Sequence, residues 1–284
     1  MSDILQLESV TEASPRPNGK AQGLLVSSDL LAVSYGMGDN STALLCGLRE
    51  REIKPDLITT ADPKGEHEHS YAALEMMRGK VREWWGMDIT IVRKLYQGKH
   101  EGLEAECVRR SMLPGLAYGT RSCSIKHKGE PQDKELEREL KRRGIPWTRC
   151  PSSKKLKLMC LTKEEWCDAN GVIPAARKAI GYHADEPQRA KRRSARPELF
   201  LPWYPLIEWQ WHPCECIHAM RRHGIKPPGK SACFFCPAMK RSEVVQLAKE
   251  RPDLIERALA MERAAQATNT TKRGLGGEGN LWAD

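Results

Sequence analysis

Apolar positions along this chain fall into two alternating rhythms. The run Leu30–Val33 is continuous, short and bounded by Ser and Gly, which reads as a buried strand spanning Leu30–Ser34. Beyond a glycine loop, Ala43, Leu44, Leu45 and Leu48 fall on one side of a helix read over Ser41–Arg51. The alternation repeats, with strands at Asp56–Thr60 and Asp88–Arg93 and a helix over His69–Trp85. Strands separated by helical stretches imply βαβ units, hence an α/β fold with a parallel sheet and flanking helices. Farther on, Gln132–Arg143, Thr162–Asn170, Pro213–Arg222 and Pro252–Ala265 read as helices, several with Lys or Arg near their C-terminal ends. Residues 1–23 show no periodicity and read as a flexible tail, as do the glycine-rich residues 269–284. The expected organisation is therefore an α/β domain over 24–205 and a cysteine-rich helical region over 206–268.

Composition narrows the setting. With 284 residues, 40% of them hydrophobic, the chain can bury a real core. No apolar run approaches the roughly 20 residues needed to span a bilayer. Met1-Ser-Asp-Ile4 lacks the basic start and apolar middle of a signal peptide. A soluble cytoplasmic protein is the expectation. In that compartment the ten cysteines point to metal or catalytic sulfur rather than to a disulfide framework. The net charge of +9 favours polyanionic partners, and basic residues gather at Lys154–Lys157, Arg189–Arg196 and Arg221–His223. Such runs also serve simply as solvated faces.

The loop after the first strand carries the most chemistry: Ser34-Tyr-Gly36-Met-Gly38-Asp39-Asn40-Ser41-Thr42. Strand, glycine loop and helix N-terminus together form an anion site, because the first helical N–H groups lack internal partners. A Walker loop needs Lys before its Ser or Thr, and Asn40 stands there instead. The dinucleotide fingerprint needs a third glycine where Ser41 stands. What the segment resembles is the PP-loop of ATP pyrophosphatases, Ser-Gly-Gly-x-Asp-Ser, here with an extra residue. Enzymes of that family split ATP between its α and β phosphates and activate a substrate as the adenylate. One departure stands out: most PP-loops carry Asp at the position of Asn40. A carboxylate there suits Mg²⁺, so Asp39 or Asp62 is the candidate replacement.

A second constellation lies downstream. Cys233-Phe-Phe-Cys236 has the spacing that lets two thiolates reach one metal, with Cys214, Cys216 and Cys123 upstream. Four thiolates suffice for a [4Fe–4S] cluster or closed zinc site. A redox dithiol lacks the thioredoxin-like βαβ context, and buried structural cysteine is the plain alternative.

Together these pieces resemble the phosphoadenosine phosphosulfate reductase-like branch of the PP-loop superfamily. The matching pieces are Ser34–Thr42, Asp62-Pro-Lys-Gly65-Glu66, Gly119–Lys128, Ile180–Arg189, Tyr204–Leu206 and Lys230–Pro237 with Cys216, covering about residues 30–240. The resemblance implies ATP held by Ser34, Gly36, Gly38, Asp39, Asn40, Ser41, Thr42, Asp62, Gly65 and Glu66. It makes Ser41, Lys126 and Arg189 catalytic, with Arg121 and Lys128 also facing phosphate. It implies a [4Fe–4S] cluster on Cys123, Cys216, Cys233 and Cys236, with Cys214 as alternate for Cys216. Sulfonucleotide reductases of this branch attack sulfur with a C-terminal cysteine, and no cysteine follows Cys236 here. Relatives that thiolate DNA or tRNA lack that residue too, and the positive charge suits them.

The expected activity is thus ATP pyrophosphatase chemistry with Mg²⁺, serving sulfur transfer to a nucleic acid. A cysteine desulfurase is one possible sulfur donor; acceptor and oligomeric state are not specified. The rivals are sulfonucleotide reduction and a non-catalytic zinc protein that binds nucleic acid.

Overall fold

The computed structural model describes residues 26–191, 196–268, 273–278 and 282. In chain order its strands are β1 (Leu31–Tyr35), β2 (Leu57–Ala61), β3 (Thr90–Val92), the antiparallel pair β4 (Leu95–Tyr96) and β5 (Lys99–His100), β6 (Ala176–Ile180) and β7 (Phe200–Trp203). Five of them form one all-parallel sheet in the order β3-β2-β1-β6-β7. Helices join and flank them: α1 (Asp39–Glu50), α2 (Glu68–Trp85), α3 (Leu103–Arg109), α4 (Ser122–Ser124), α5 (Glu130–Arg142), α6 (Ser153–Leu158), α7 (Lys163–Ala169), α8 (Pro187–Ala190), α9 (Pro205–Glu208), α10 (Pro213–Arg222), α11 (Arg241–Glu250) and α12 (Pro252–Thr268).

The period of two along β1 decides which layer each residue joins. Leu31, Val33 and Tyr35 enter a core with α1, α2 and α10, while Leu30 and Ala32 join Leu136 and Leu140 of α5 on the opposite face. Ser34 follows the second set, and its hydroxyl donates to the side-chain Oε1 of Gln132 on α5. Both faces are covered, as parallel sheets require. A third core, built from α3, α11, α12 and Phe234–Phe235, lies outside the sheet and encloses most of the cysteine constellation.

The strands and helices expected around the first loop are present with ends shifted by a residue or two. Two sheet strands were not foreseen, β6 and β7. Arg177 and Lys178 interrupt the apolar pattern of β6, yet Lys178 is buried because Asp133 on α5 accepts from its ammonium at 2.7 Å. The expected tail at 269–284 also differs: β8 (Arg273–Gly274) and β9 (Gly277–Glu278) form a hairpin. Buried Glu262 holds it by accepting from the Leu275 N–H at 2.6 Å, and Leu275 is itself buried. The expected tail at 1–23, and Arg192–Ala195 of one basic run, lie outside the described residues. No helix among the described residues is long and apolar enough to cross a membrane.

Candidate active site

The sheet order reverses beside β1: the chain runs outward from β1 to β2 and β3, then crosses back to place β6 on the other side of β1 and β7 beyond it. The carboxyl ends of such strands form the crevice where open α/β sheets bind ligands. The glycine loop sits there. Gly38 caps α1 from extended backbone, and Asp39, Asn40 and Ser41 form the first helical turn; the Asp39 N–H is taken by Gly229, which leaves those of Asn40 and Ser41 as the free donors of this helix end. The loop turns at Met37, whose φ of 62° lies in the left-handed region and whose side chain is buried. The Ser41 hydroxyl donates to the Gly38 carbonyl at 3.0 Å. A Cβ at Gly36 would meet nothing closer than the Ser41 Oγ at 3.6 Å, so that glycine leaves room rather than filling it.

Three predicted loop residues are engaged by protein. Thr42 is fully buried with its Oγ1 3.4 Å from the Tyr35 hydroxyl, which makes it a core residue rather than a ligand contact. Asp39 clasps Gly229: its N–H donates to the Gly229 carbonyl at 3.1 Å and its Oδ1 accepts from the Gly229 N–H at 2.8 Å. Asn40 donates from Nδ2 to Glu186 Oε2 at 3.0 Å. Glu186 accepts from Arg189 at 2.5 Å through its other oxygen, and the Arg189 guanidinium lies 4.0 Å above the Tyr182 ring. The segment after β6 is thereby tied to the loop. Gly181 makes this approach feasible, since a Cβ there would stand 2.8 Å from the Asn40 carbonyl oxygen.

Asp62, at the end of β2, is buried and fully partnered. Oδ1 accepts from the Lys64 N–H at 2.7 Å and the Tyr71 hydroxyl at 2.8 Å, and Oδ2 from Arg93 at 2.7 Å. Burial pushes its pKa up, but these donors outweigh burial and hold it below the usual carboxylate range. That arrangement makes Asp62 a clamp on the loop rather than an open metal ligand. Gly65 lies under Phe235, where a Cβ would come within 2.6 Å of the ring. Buried Glu66 accepts from Lys128 at 2.6 Å.

The segment 229–236 spans both crevice loops. Gly229 grips Asp39, Ser231 packs on Gly38, Ala232 accepts from the His67 N–H at 3.1 Å, and Phe234 donates to the Gly65 carbonyl at 2.9 Å. Cys123, Cys233 and Cys236 share one hydrophobic cluster with Cys107. Burial pushes the Cys233 and Cys236 thiols up, with the Glu66 charge adding to it at Cys233. Cys216 does not join them. It lies in the other core, where burial raises its pKa to about 12, while Cys214 is exposed on Glu215. The expected fourth thiolate is therefore misplaced, because α10 turns Cys216 inward against α1. Among the described residues no three His, Cys, Asp or Glu side chains stand close enough to hold a metal as placed. Three of the four expected thiols thus share one cluster, and Cys216 lies in another.

Lys126 and Arg121 are exposed, Lys126 on a π-helical turn (Ile125–Gly129) leading into α5. Such turns recur at functional sites. That turn also carries a network sequence reasoning missed. Buried His127 contacts Glu106 at 2.6 Å, and Glu106 also accepts from Lys94 at 2.5 Å. A cavity of about 650 Å³ opens beside the loop, lined by Ser34, Gln132, Lys178, Ile180, Tyr182 and Cys150 among others. No periodicity marks these residues, which meet only through the β6 crossover.

No family model matches the chain, and no curated protein matches it. Among solved structures the chain is similar to the U34-tRNA thiolase NcsA from Methanococcus maripaludis with its [4Fe-4S] cluster. The identity is 16%, covering 90% of this chain and 79% of that one, with a TM-score of 0.39. So low a likeness carries no functional argument.

Proposed function

We propose that this chain is an ATP pyrophosphatase that adenylates a nucleic acid for sulfur transfer. One observation carries the reading: segment 229–236, with the Cys-x-x-Cys pair, is bonded to both loops at the carboxyl edge of the sheet. A phosphate cradle and a thiol cluster are then parts of one site. The Asn40 and Ser41 N–H groups in the first turn of α1 would bind ATP phosphates. A substrate oxygen attacks the α-phosphorus and pyrophosphate leaves, its growing charge met by Arg189 and Lys126. A sulfur nucleophile then displaces AMP from the adenylate. Asp39 is the loop carboxylate nearest the role of holding Mg²⁺. Cys123, Cys233 and Cys236 would hold an iron–sulfur cluster, which supplies a place for sulfide when bound. Three protein ligands leave a position open, the pattern of reactive rather than structural metal sites. The +9 charge suits a nucleic-acid acceptor.

The test is pyrophosphate release from ATP by the anaerobically purified chain. Ser41→Ala, which removes the hydroxyl that bonds Gly38, should lower release by roughly 10²-fold or more. Release at the wild-type rate from the pure variant would remove the loop from the reaction.

A further inference from the structure

A groove runs along α5, outward from the edge of the loop. Its inner part is the cavity of about 650 Å³, walled by Ser34 of β1 and by Ile180 and Tyr182 of the segment that Glu186 ties to Asn40. Its outer part is a second cavity of about 650 Å³, lined by Lys134, Arg138, Lys141 and Trp147 among others. Lys134, Glu137 and Arg149 line both, so the two are continuous. Eight cations and four carboxylates line this length. Three of the four carboxylates are already matched: Asp133 by Lys178 at 2.7 Å, Glu137 by Arg149 at 3.0 Å and Glu198 by Arg196 at 2.6 Å. The surplus is positive. Lys134, Arg138 and Lys141 recur at i, i+4 and i+7 and are exposed, so they form one stripe along α5. Lys134 and Lys141 make no ion pair among the described residues. The Trp147 ring holds the Arg149 and Arg196 guanidinium groups at 5.4 Å, which fixes two more of the cations in place.

We propose that this groove is the track of the acceptor: a single-stranded stretch of nucleic acid whose phosphates lie on the cationic stripe of α5 and whose target nucleotide enters the inner cavity. The proposal rests on the nucleic-acid reading above and gives it a surface. Charge selects a polyanion, because lysines without carboxylate partners, repeated along a helix, match a row of phosphates. From Glu130 to Lys141 the helix advances about 16 Å, enough for about four stacked nucleotides at ~3.4 Å each. Size selects an unpaired strand. Cavities of about 300–1,000 Å³ take one small molecule, so a nucleotide fits where a base-paired duplex does not. Enzymes that act on a base likewise reach it in single strands or extrude it. At the inner end the nucleotide would lie beside Ser34, where β1 passes into the loop. The basic run at Arg221–His223 takes no part, since α10 packs on the other face of the sheet from α5.

The experiment is fluorescence anisotropy of labelled mixed-sequence strands of about 12 nucleotides, as RNA, as DNA and as the matching duplexes, titrated with the full chain across a range of salt. The chain should bind a single strand more tightly than its duplex, and the tighter of the RNA and DNA strands names the acceptor sugar. Lys134→Gln with Lys141→Gln removes two phosphate contacts. At about 0.7 each, their loss should flatten log K against log[salt] by about 1.4, which from 1 M down to 0.1 M salt is roughly 25-fold in affinity. Arg221→Gln, exposed on α10, should bind as wild type. Unchanged thermal unfolding of the variants keeps a folding defect from imitating the loss. The inference is overturned if the double variant keeps the wild-type affinity and salt slope, if the loss follows Arg221→Gln instead, or if duplex binds more tightly than single strand. The assay contains no ATP, so any of these results leaves the pyrophosphatase reading standing. A wild-type chain that binds no strand at low salt would overturn the groove and the nucleic-acid acceptor together, with pyrophosphate release still the judge of the loop.

Discussion

Gly181→Ala tests the junction on which the site depends. The added Cβ would stand 2.8 Å from the Asn40 carbonyl oxygen, 2.9 Å from its carbonyl carbon and 3.0 Å from the Ser41 nitrogen. All three are backbone atoms in the first turn of α1, so no side chain can swing aside. Ordinary contact begins at 3.4 Å, and 3.4 less 2.8 leaves a shortfall of 0.6 Å to be met by moving the loop or the end of β6. Overpacking of this kind costs about 1–3 kcal/mol. For a chain of this size that corresponds to a melting temperature lower by about 4–8 °C at the middle of the range. The same displacement would stretch the Asn40–Glu186 bond from 3.0 Å past useful hydrogen-bond geometry. Misplacement by 1 Å can cost about 10²-fold in rate, so pyrophosphate release should fall roughly 10-fold. The assays are thermal unfolding and pyrophosphate release on the same preparation. Gly79→Ala is the control: it lies mid-helix in α2 with nothing within 4 Å of its Cβ, and should be neutral or stabilising by up to about 1 kcal/mol. A Gly181→Ala protein that melts and turns over like wild type would show that β6 does not hold the loop.

Two further outcomes follow from the electrostatics. Asn40→Asp would set a carboxylate against Glu186 and lose the 3.0 Å donor, so the variant should be about 1–2 kcal/mol less stable at pH 7.5. Its folded-state pKa would be raised above the unfolded value, so the deficit should grow as pH rises from about 4.5 to 7.5 in urea unfolding, and a pH-independent deficit would refute the contact. Burial pushes Glu106 up, but Lys94, His127 and Arg110 outweigh it and bring the carboxyl down to about 2. Stability from this group is therefore present above the ordinary carboxylate range and lost as pH falls toward 2. Allowing for partial solvent access, the wild type should lose about 2 kcal/mol relative to Glu106→Gln between pH 5 and 2, and parallel pH profiles would count against the network.

What the sequence disclosed and what it hid divide along a physical line. β1, its loop and α1 were legible because each is local: an apolar run, two glycines, then a helical stripe ending at Leu48. β6 was hidden because its burial depends on a partner 45 residues away, Asp133, which neutralises Lys178 inside the sheet. The Cys-x-x-Cys pair was legible as spacing, but which side chains the fold brings beside it was not. Helical phase places Cys216 in the core beneath α1, and no motif signals that Glu66 comes to face Cys233 across 167 positions of chain. Asn40 shows the same division. As a motif position it reads as a lost metal ligand; in the folded chain its amide is a donor that a carboxylate could not supply, and Glu186 is the acceptor. Asp39 does not simply substitute, since one of its oxygens is committed to Gly229. The side chains of Asp39 and Asn40 therefore fasten the loop to the two segments that pack against it. Its residue types match a phosphate cradle, and their hydrogen bonds explain why Asn rather than Asp stands at position 40.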